Sequence, residues 1–278
     1  MDLLTDLGEL RAARAQLPEP IGLVPTMGAL HAGHLTLVDR ARRCCSSVIV
    51  SVFVNPLQFG PHEDFTTYPR SLERDRALLA EHGAGLLFAP TSDAMYPAEP
   101  VITVDPGALG VHLEGERRPG HFRGVATVVL KLLHLVQPQA VFLGEKDAQQ
   151  LAIVRRMVRD FDLPTEIIDC PTIREDDGLA LSSRNAKLSA DERAAAPNLW
   201  RALKVVGAAL ADGTRDVEAL LAQGARGLAP LRLDYLAVVK PDEFVPLSSA
   251  PRRARLLVVG AAFAGKTRLI DNIAVTTP

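Results

Sequence analysis

Aromatic residues make up only 5% of the 278-residue chain, with a single tryptophan, and cysteine occurs three times. Cys44, Cys45 and Cys170 cannot all pair within one chain, and two of them are adjacent. No C-x-x-C spacing exists, so neither a disulfide framework nor a structural zinc site is expected. Charge of one sign is scarce as well. The 31 Lys and Arg against 33 Asp and Glu leave a net charge of −2. That argues against an indiscriminate nucleic-acid or membrane binder and leaves room only for a local basic patch. Long apolar runs are missing. The most apolar stretch, 125–144, is broken by Lys131, His134, Gln137 and Pro138 and cannot span a bilayer as a helix. Residues 1–14 carry acidic residues early and no apolar core, so no signal peptide is expected, and the expected location is cytoplasmic. There is no internal repeat. What is plentiful is apolar residues, 47% against 23% charged, enough for one large globular domain or two ordinary ones.

Up to about residue 170, strand-like and helix-like segments alternate. Helical spacing marks 3–16, 35–43, 71–82, 122–136 and 148–159. Apolar, β-branched runs mark strands at 21–24, 48–54, 86–89, 101–104, 140–143 and 166–170. Gly83 fits a left-handed cap after the third helix. Such β-α-β alternation implies an α/β fold, a doubly wound parallel sheet with helices on both faces. The rhythm then changes. Ser189-Ala190-Asp191-Glu192 has the form of a capping box and opens a long helix towards Leu210. A second helix follows at 217–228, then strands at 233–239, 255–261 and 268–275. This predicts a second, smaller α+β domain. The expected domains are 1–173 and 174–278, with the polar segment 174–188 as the hinge.

Chemistry is carried mostly by strand-to-helix junctions, where ligands of open parallel sheets sit. The first is Pro25-Thr26-Met27-Gly28-Ala29-Leu30-His31-Ala32-Gly33-His34. Gly28 and Gly33 allow positive φ and close approach, the following helix N-terminus suits phosphate, and His31 and His34 flank that point. The second is Asn55-Pro56-Leu57-Gln58-Phe59-Gly60, where Asn55 and Gln58 offer donors and acceptors to a hydroxyl and a carboxylate. The third is Gly144-Glu145-Lys146-Asp147-Ala148-Gln149-Gln150. There Lys146 is a point charge for a phosphate oxygen, Asp147 a helix cap, and Gln150 lies one turn further on. At a polar bend, Ser182-Ser183-Arg184-Asn185 supplies hydroxyls and a guanidinium as a phosphate clamp. Each of these also has a bland reading as turn, cap or solvated hinge.

One motif points elsewhere. Gly260-Ala261-Ala262-Phe263-Ala264-Gly265-Lys266-Thr267 fits G-x-x-x-x-G-K-[ST] residue for residue. A true phosphate loop needs a helix and a return strand after it. Only a β-branched run to residue 278 follows, so a hairpin turn is expected here. A kinase or NTPase using Gly260–Thr267 stays as the less favoured reading.

Taken together and in order, these motifs closely resemble the pantothenate synthetase (pantoate–β-alanine ligase) family. Met95-Tyr96-Pro97, Arg118-Pro119-Gly120-His121-Phe122 and Thr267-Arg268-Leu269-Ile270-Asp271-Asn272 look like the same family, and the resemblance runs from about residue 20 to 275. It implies a Rossmann-like fold of the HxGH nucleotidyltransferase superfamily and an AMP-forming ligation of pantoate to β-alanine through pantoyl adenylate. It implies ATP as substrate with Mg2+, and a homodimer. By the resemblance Met27, Gly28, Ala29, Leu30, His31, Ala32, Gly33 and His34 meet ATP, with His34 at the position of the proton donor. Lys146, Ser182, Ser183 and Arg184 hold the triphosphate. Gly144, Glu145, Lys146, Asp147 and the backbone near Ile173 hold adenosine, with Leu181 in its wall. Asn55, Gln58 and Gln150 orient pantoate, and Gln58 also β-alanine. The second domain would serve as a lid over a dry site. Ala148 departs from the family, which usually has an aromatic residue there, and Leu181 replaces Met. The runner-up is another HxGH nucleotidyltransferase, which would share the first motif but has no reason to carry the others in this form.

Overall fold

The computed structural model describes residues 1–61 and 63–278. The chain divides into two compact units, one of residues 1–145 and 153–171, the other of residues 146–152 and 172–278.

The first unit opens with β1 (Asp2–Leu4) and α1 (Leu7–Arg14). The expected helix over 3–16 therefore starts late. Asp6 caps it by accepting the N–H groups of Gly8 and Glu9, while Asp2–Leu4 pairs in parallel with a later strand. Then come β2 (Ile21–Thr26), α2 (Ala32–Cys44), β3 (Ser47–Val52), α3 (Leu72–Glu81), β4 (Leu86–Phe88), α4 (Ser92–Met95), α5 (Glu114–Arg117), α6 (His121–Val136), β5 (Ala140–Gly144), α7 (Ala148–Asp160) and β6 (Glu166–Cys170). The six strands run parallel in the order β1-β4-β3-β2-β5-β6. Winding reverses between β2 and β5, so the carboxyl ends of these two neighbours form the switch point where α/β sheets bind ligands. The core packs α2 and α3 on the sheet through Val38, Ala41 and Leu79 against Val24, Val50, Leu87 and Phe142.

Residues 101–104, expected as a strand, form none. Both neighbours of β4 are already taken, by β1 and β3. Val104 N–H instead donates to Thr127 Oγ1 at 3.0 Å, and Val101 and Ile102 stay 98% and 87% exposed.

The second unit contains α8 (Ala190–Ala195), α9 (Asn198–Ala211), α10 (Val217–Ala225) and the antiparallel strands β7 (Arg232–Val239), β8 (Arg255–Ala264) and β9 (Thr267–Thr276). The capping box forms: Ser189 N–H donates to Glu192 Oε2 and Glu192 N–H to Ser189 Oγ. The single long helix expected after it is two, because Pro197 has no N–H to continue the ladder and its ring crowds the preceding turn. Leu203, Val206 and Leu210 of α9 pack with Leu220 of α10 against Val238 and Val258 of the sheet.

The phosphate-loop look-alike is a hairpin. Gly260 lies within β8 and pairs with Asp271, Ala264 pairs with Thr267, and the turn is Gly265-Lys266 with Gly265 at φ +55°. A true phosphate loop would leave backbone N–H groups free to cradle phosphate at the start of a helix, and here the segment is spent on strand pairing.

The segment 174–188, expected as a polar hinge, is folded into the second unit. Arg174 bridges Ala180 in antiparallel fashion, and the Arg174 guanidinium grips both oxygens of buried Asp271 at 2.6 and 2.8 Å. Its face lies 3.5 Å from the Trp200 ring centre. Residues 146–152, expected in the first domain, also group with this unit. Asn272 Nδ2 donates to the Lys146 carbonyl at 3.0 Å and ties them there.

Candidate active site

In the first unit the β2–α2 turn is built around two left-handed residues, Gly28 at φ +81° and Ala29 at φ +50°. Glycine is required at the first. A Cβ there would lie 2.9 Å from Val52 Cγ1 and 3.0 Å from Asp75 Oδ2, in a backbone conformation that side chains resist. Thr26 Oγ1 accepts the Gly28 N–H and donates to the Ser51 carbonyl, which locks the strand end. His31 is the N-cap residue of α2 with extended backbone, and its carbonyl accepts the N–H groups of His34 and Leu35. The His31 and His34 rings lie 4.0 Å apart, centre to centre. Met27, Gly28, Ala29, Leu30, Ala32 and Gly33 thus form one continuous turn and first helical residues around the histidine pair.

Sequence reasoning missed the group that holds this turn. Asp75 of α3, 1% exposed, accepts the Ala29 N–H at 2.9 Å and the Leu30 N–H at 2.8 Å. The signal was present: Asp75 falls on the same helical stripe as Leu72 and Leu79, where a charge is unexpected without a partner. Burial raises its pKa, and the two N–H groups oppose that shift.

After β3, Asn55 is 1% exposed and its amide is fully used. Nδ2 donates to Gln58 Oε1 and to the Gly124 carbonyl, both at 3.1 Å, and Oδ1 accepts the Leu57 N–H and the Tyr96 hydroxyl. Two donors and two lone pairs exhaust an asparagine. Through the first of these bonds the Asn55 side chain fixes Gln58. Gln58 Nε2 donates in turn to Met27 Sδ at 2.9 Å, which joins this turn to the first one. Gly124 permits the approach of α6, since a Cβ there would come within 2.2 Å of the Leu57 carbonyl oxygen.

His121 completes the group. Arg118 Nη1 donates to its Nε2 at 3.0 Å, so Nδ1 carries the proton and donates to the Gln58 carbonyl at 2.9 Å. Burial, helped by the Arg118 charge, pushes the His121 pKa down to about 4, and the ring is neutral at physiological pH. Arg118 is itself held by both oxygens of Glu63. Gly144 ends β5 beside β2, with Glu145 directly after it.

The second unit carries Lys146, Asp147, Gln150, Ile173, Leu181, Ser182, Ser183 and Arg184. Glu145–Asp147 form a single 3₁₀ turn running into α7, with Gln150 half-buried. Asn272, which holds the Lys146 carbonyl, donates its own N–H to Asp271 Oδ1, and Asp271 is the partner of Arg174. A chain of bonds therefore runs from Trp200 through Arg174, Asp271 and Asn272 to Lys146. Leu181 N–H donates to the Ile173 carbonyl at 2.9 Å, so the two are backbone neighbours. Ser182 Oγ accepts the Arg184 N–H and opens the 3₁₀ turn Ser183–Lys187. Asn185 Nδ2 donates to the Ala180 carbonyl and pins that bend.

A parallel sheet with its histidine-bearing turn at the switch point, followed by a helix N-terminus, defines a Rossmann-like nucleotide-binding enzyme. The family model for pantoate-beta-alanine ligase matches residues 2–274. Pantothenate synthetase of Thermus thermophilus is 52% identical, over 99% of each chain. That of Thermobifida fusca is 50% identical, over 96% of this chain and 93% of the other. Among solved structures, pantothenate synthetase from Thermus thermophilus superposes with a TM-score of 0.90, covering 98% of this chain and 99% of that one at 52% identity. Pantoate-beta-alanine ligase from Francisella tularensis, complexed with beta-gamma ATP and beta-alanine, has a TM-score of 0.83 and 35% identity, covering 98% and 97%. The chain belongs to the pantoate–β-alanine ligase family and is an enzyme of the ligase class.

Proposed function

We propose that the chain joins pantoate to β-alanine in two steps driven by ATP. A pantoate carboxylate oxygen attacks the α-phosphorus, the bond to the bridging oxygen breaks, and pyrophosphate leaves. The β-alanine amine then attacks the acyl carbon of pantoyl adenylate, the C–O bond to AMP breaks, and the amine gives up a proton as the amide forms. The observation that carries this reading is the paired His31 and His34 at the switch-point turn, within a chain that matches the ligase family from end to end.

The first step builds charge on phosphate oxygens, and donors placed at that point are the largest expected catalytic contribution. His31 and His34 supply them, His34 also as proton donor. Lys146, Ser182, Ser183 and Arg184 meet the triphosphate. Gly144, Glu145, Asp147, Ile173 and Leu181 take adenosine. Asn55, Gln58 and Gln150 orient pantoate, with Gln58 aligned by Asn55 and His121, and Gln58 later orients β-alanine. Among the described residues no three His, Cys, Asp or Glu side chains gather to hold a metal ion. Mg2+ enters this reading as the companion of the ATP phosphates. A cytoplasmic location belongs to the same reading. No described helix is long and apolar enough to cross a membrane.

The test is isotope exchange of pyrophosphate into ATP. Exchange is expected with pantoate present and β-alanine absent. A requirement for both would remove the separate adenylate and overturn the two-step reading.

The family resemblance also supports a homodimer. Adjacent Val101 and Ile102, almost fully exposed, are suited to be covered by a second copy. Light scattering should give twice the 29.9 kDa chain mass, and Val101→Asp with Ile102→Asp should lower it towards one chain. A monomeric mass for the unaltered chain would reject the dimer.

A further inference from the structure

Two successive left-handed residues, Gly28 and Ala29, turn the N–H groups of Ala29 and Leu30 to one side, the geometry of a backbone anion nest. In a phosphate-binding turn such a nest would be expected to take the ligand. Here it is filled by the protein's own anion, with one Asp75 oxygen on each N–H. The carboxylate comes from α3, is 1% exposed, and reaches the turn directly before the N-cap residue of α2. Ionic hydrogen bonds of this kind are about twice as strong as neutral ones, and the low-dielectric surroundings strengthen them further.

We propose that Asp75 is a positioning residue for the ligation: by occupying the nest between β2 and α2, its carboxylate fixes the backbone that presents His31 and His34 to the phosphates of ATP. The nest is then a scaffold and not a phosphate subsite. This rests on the functional reading above for what His31 and His34 do. It also explains why an acidic residue lies on the apolar stripe of α3. A hydrophobic residue would pack there, but it would leave two backbone N–H groups of a strained turn buried without acceptors. An asparagine could satisfy only one of them, and its NH2 group would face the other, donor against donor.

The experiment uses the full chain and pyrophosphate exchange. Asp75→Asn is expected to raise the KM for ATP about tenfold or more, the size of one charge-assisted hydrogen bond, while the KM for pantoate stays within about twofold. Combined with His34→Ala, it should add clearly less than the loss it causes alone, because the part of its effect that passes through the His34 ring is already removed and only the part through His31 remains. Asp75→Glu, which keeps a carboxylate, should recover part of the ATP KM. A folded Asp75→Asn chain with an unaltered KM for ATP overturns the proposal, and so does full additivity with His34→Ala. Should Asp75→Asn not fold, Asp75→Glu is read by the same two measures. If neither variant folds, the carboxylate serves the fold alone and the proposal fails. Failure of the functional reading is seen separately, as absent pantoate-dependent exchange in the unaltered chain.

Discussion

His34→Ala is expected to lower pantoate-dependent pyrophosphate exchange by about two to four orders of magnitude, the range for a lost proton donor or a lost donor to developing charge. The structure says why the loss should be chemical and not structural. His34 lies in the first turn of α2, where its backbone N–H donates to the His31 carbonyl at 2.8 Å, and alanine preserves that bond. The turn before it is held independently, by Thr26 and by Asp75. Alanine also has a higher helix propensity than histidine. The variant should therefore melt near the temperature of the unaltered chain while losing the ring that stacks 4.0 Å from His31. A folded variant exchanging at the normal rate would remove His34 from the mechanism.

Lys146→Ala is expected to cut the same exchange by about 10²–10³-fold, comparable to the loss of one well-placed donor at a reacting oxyanion. The KM for pantoate should change little, since the proposed function gives pantoate to amide side chains and gives this cation to the triphosphate. Lys146→Arg should restore only part of the rate, because a planar fork does not occupy the place of a compact ammonium. The support for Lys146 is its backbone. Asn272 holds its carbonyl, Asp271 holds Asn272, and Arg174 holds Asp271 with two hydrogen bonds. This network stays in place when the side chain is trimmed, so the variant isolates the charge. Unchanged exchange in a folded Lys146→Ala chain would mean that the triphosphate is neutralised elsewhere.

Much of this was legible without coordinates wherever the signal was local. The run 48–54, expected as a strand from its Val and Ile content, forms the central strand β3 over Ser47–Val52, because both faces are covered. Ser189 and Glu192 announced a helix start that the structure repeats bond for bond. The residues after Lys266 were too few and too β-branched for a phosphate loop, and they form a strand. Local rules failed where the partner was remote. Residues 101–104 have strand composition, but the fold leaves them no neighbour in the sheet. Pro197 is hidden inside an otherwise good helical pattern, although its effect is itself local.

The sequence alone determined the β-α-β alternation, the strand-to-helix junctions at 27–34, 55–58 and 144–150, and the residue types that suit phosphate and carboxylate. These follow from periodicity and turn chemistry, which reach only a few residues along the chain. Tertiary structure alone decided what those side chains are bonded to. It filled the nest of the first turn with Asp75, from 45 and 46 residues away, and used up the amide of Asn55 on Gln58, Gly124 and Tyr96. It also joined Lys146 to Asn272, 126 residues later. A buried hydrogen bond is fixed by which groups the packed chain brings within about 3 Å, and no local pattern encodes that distance.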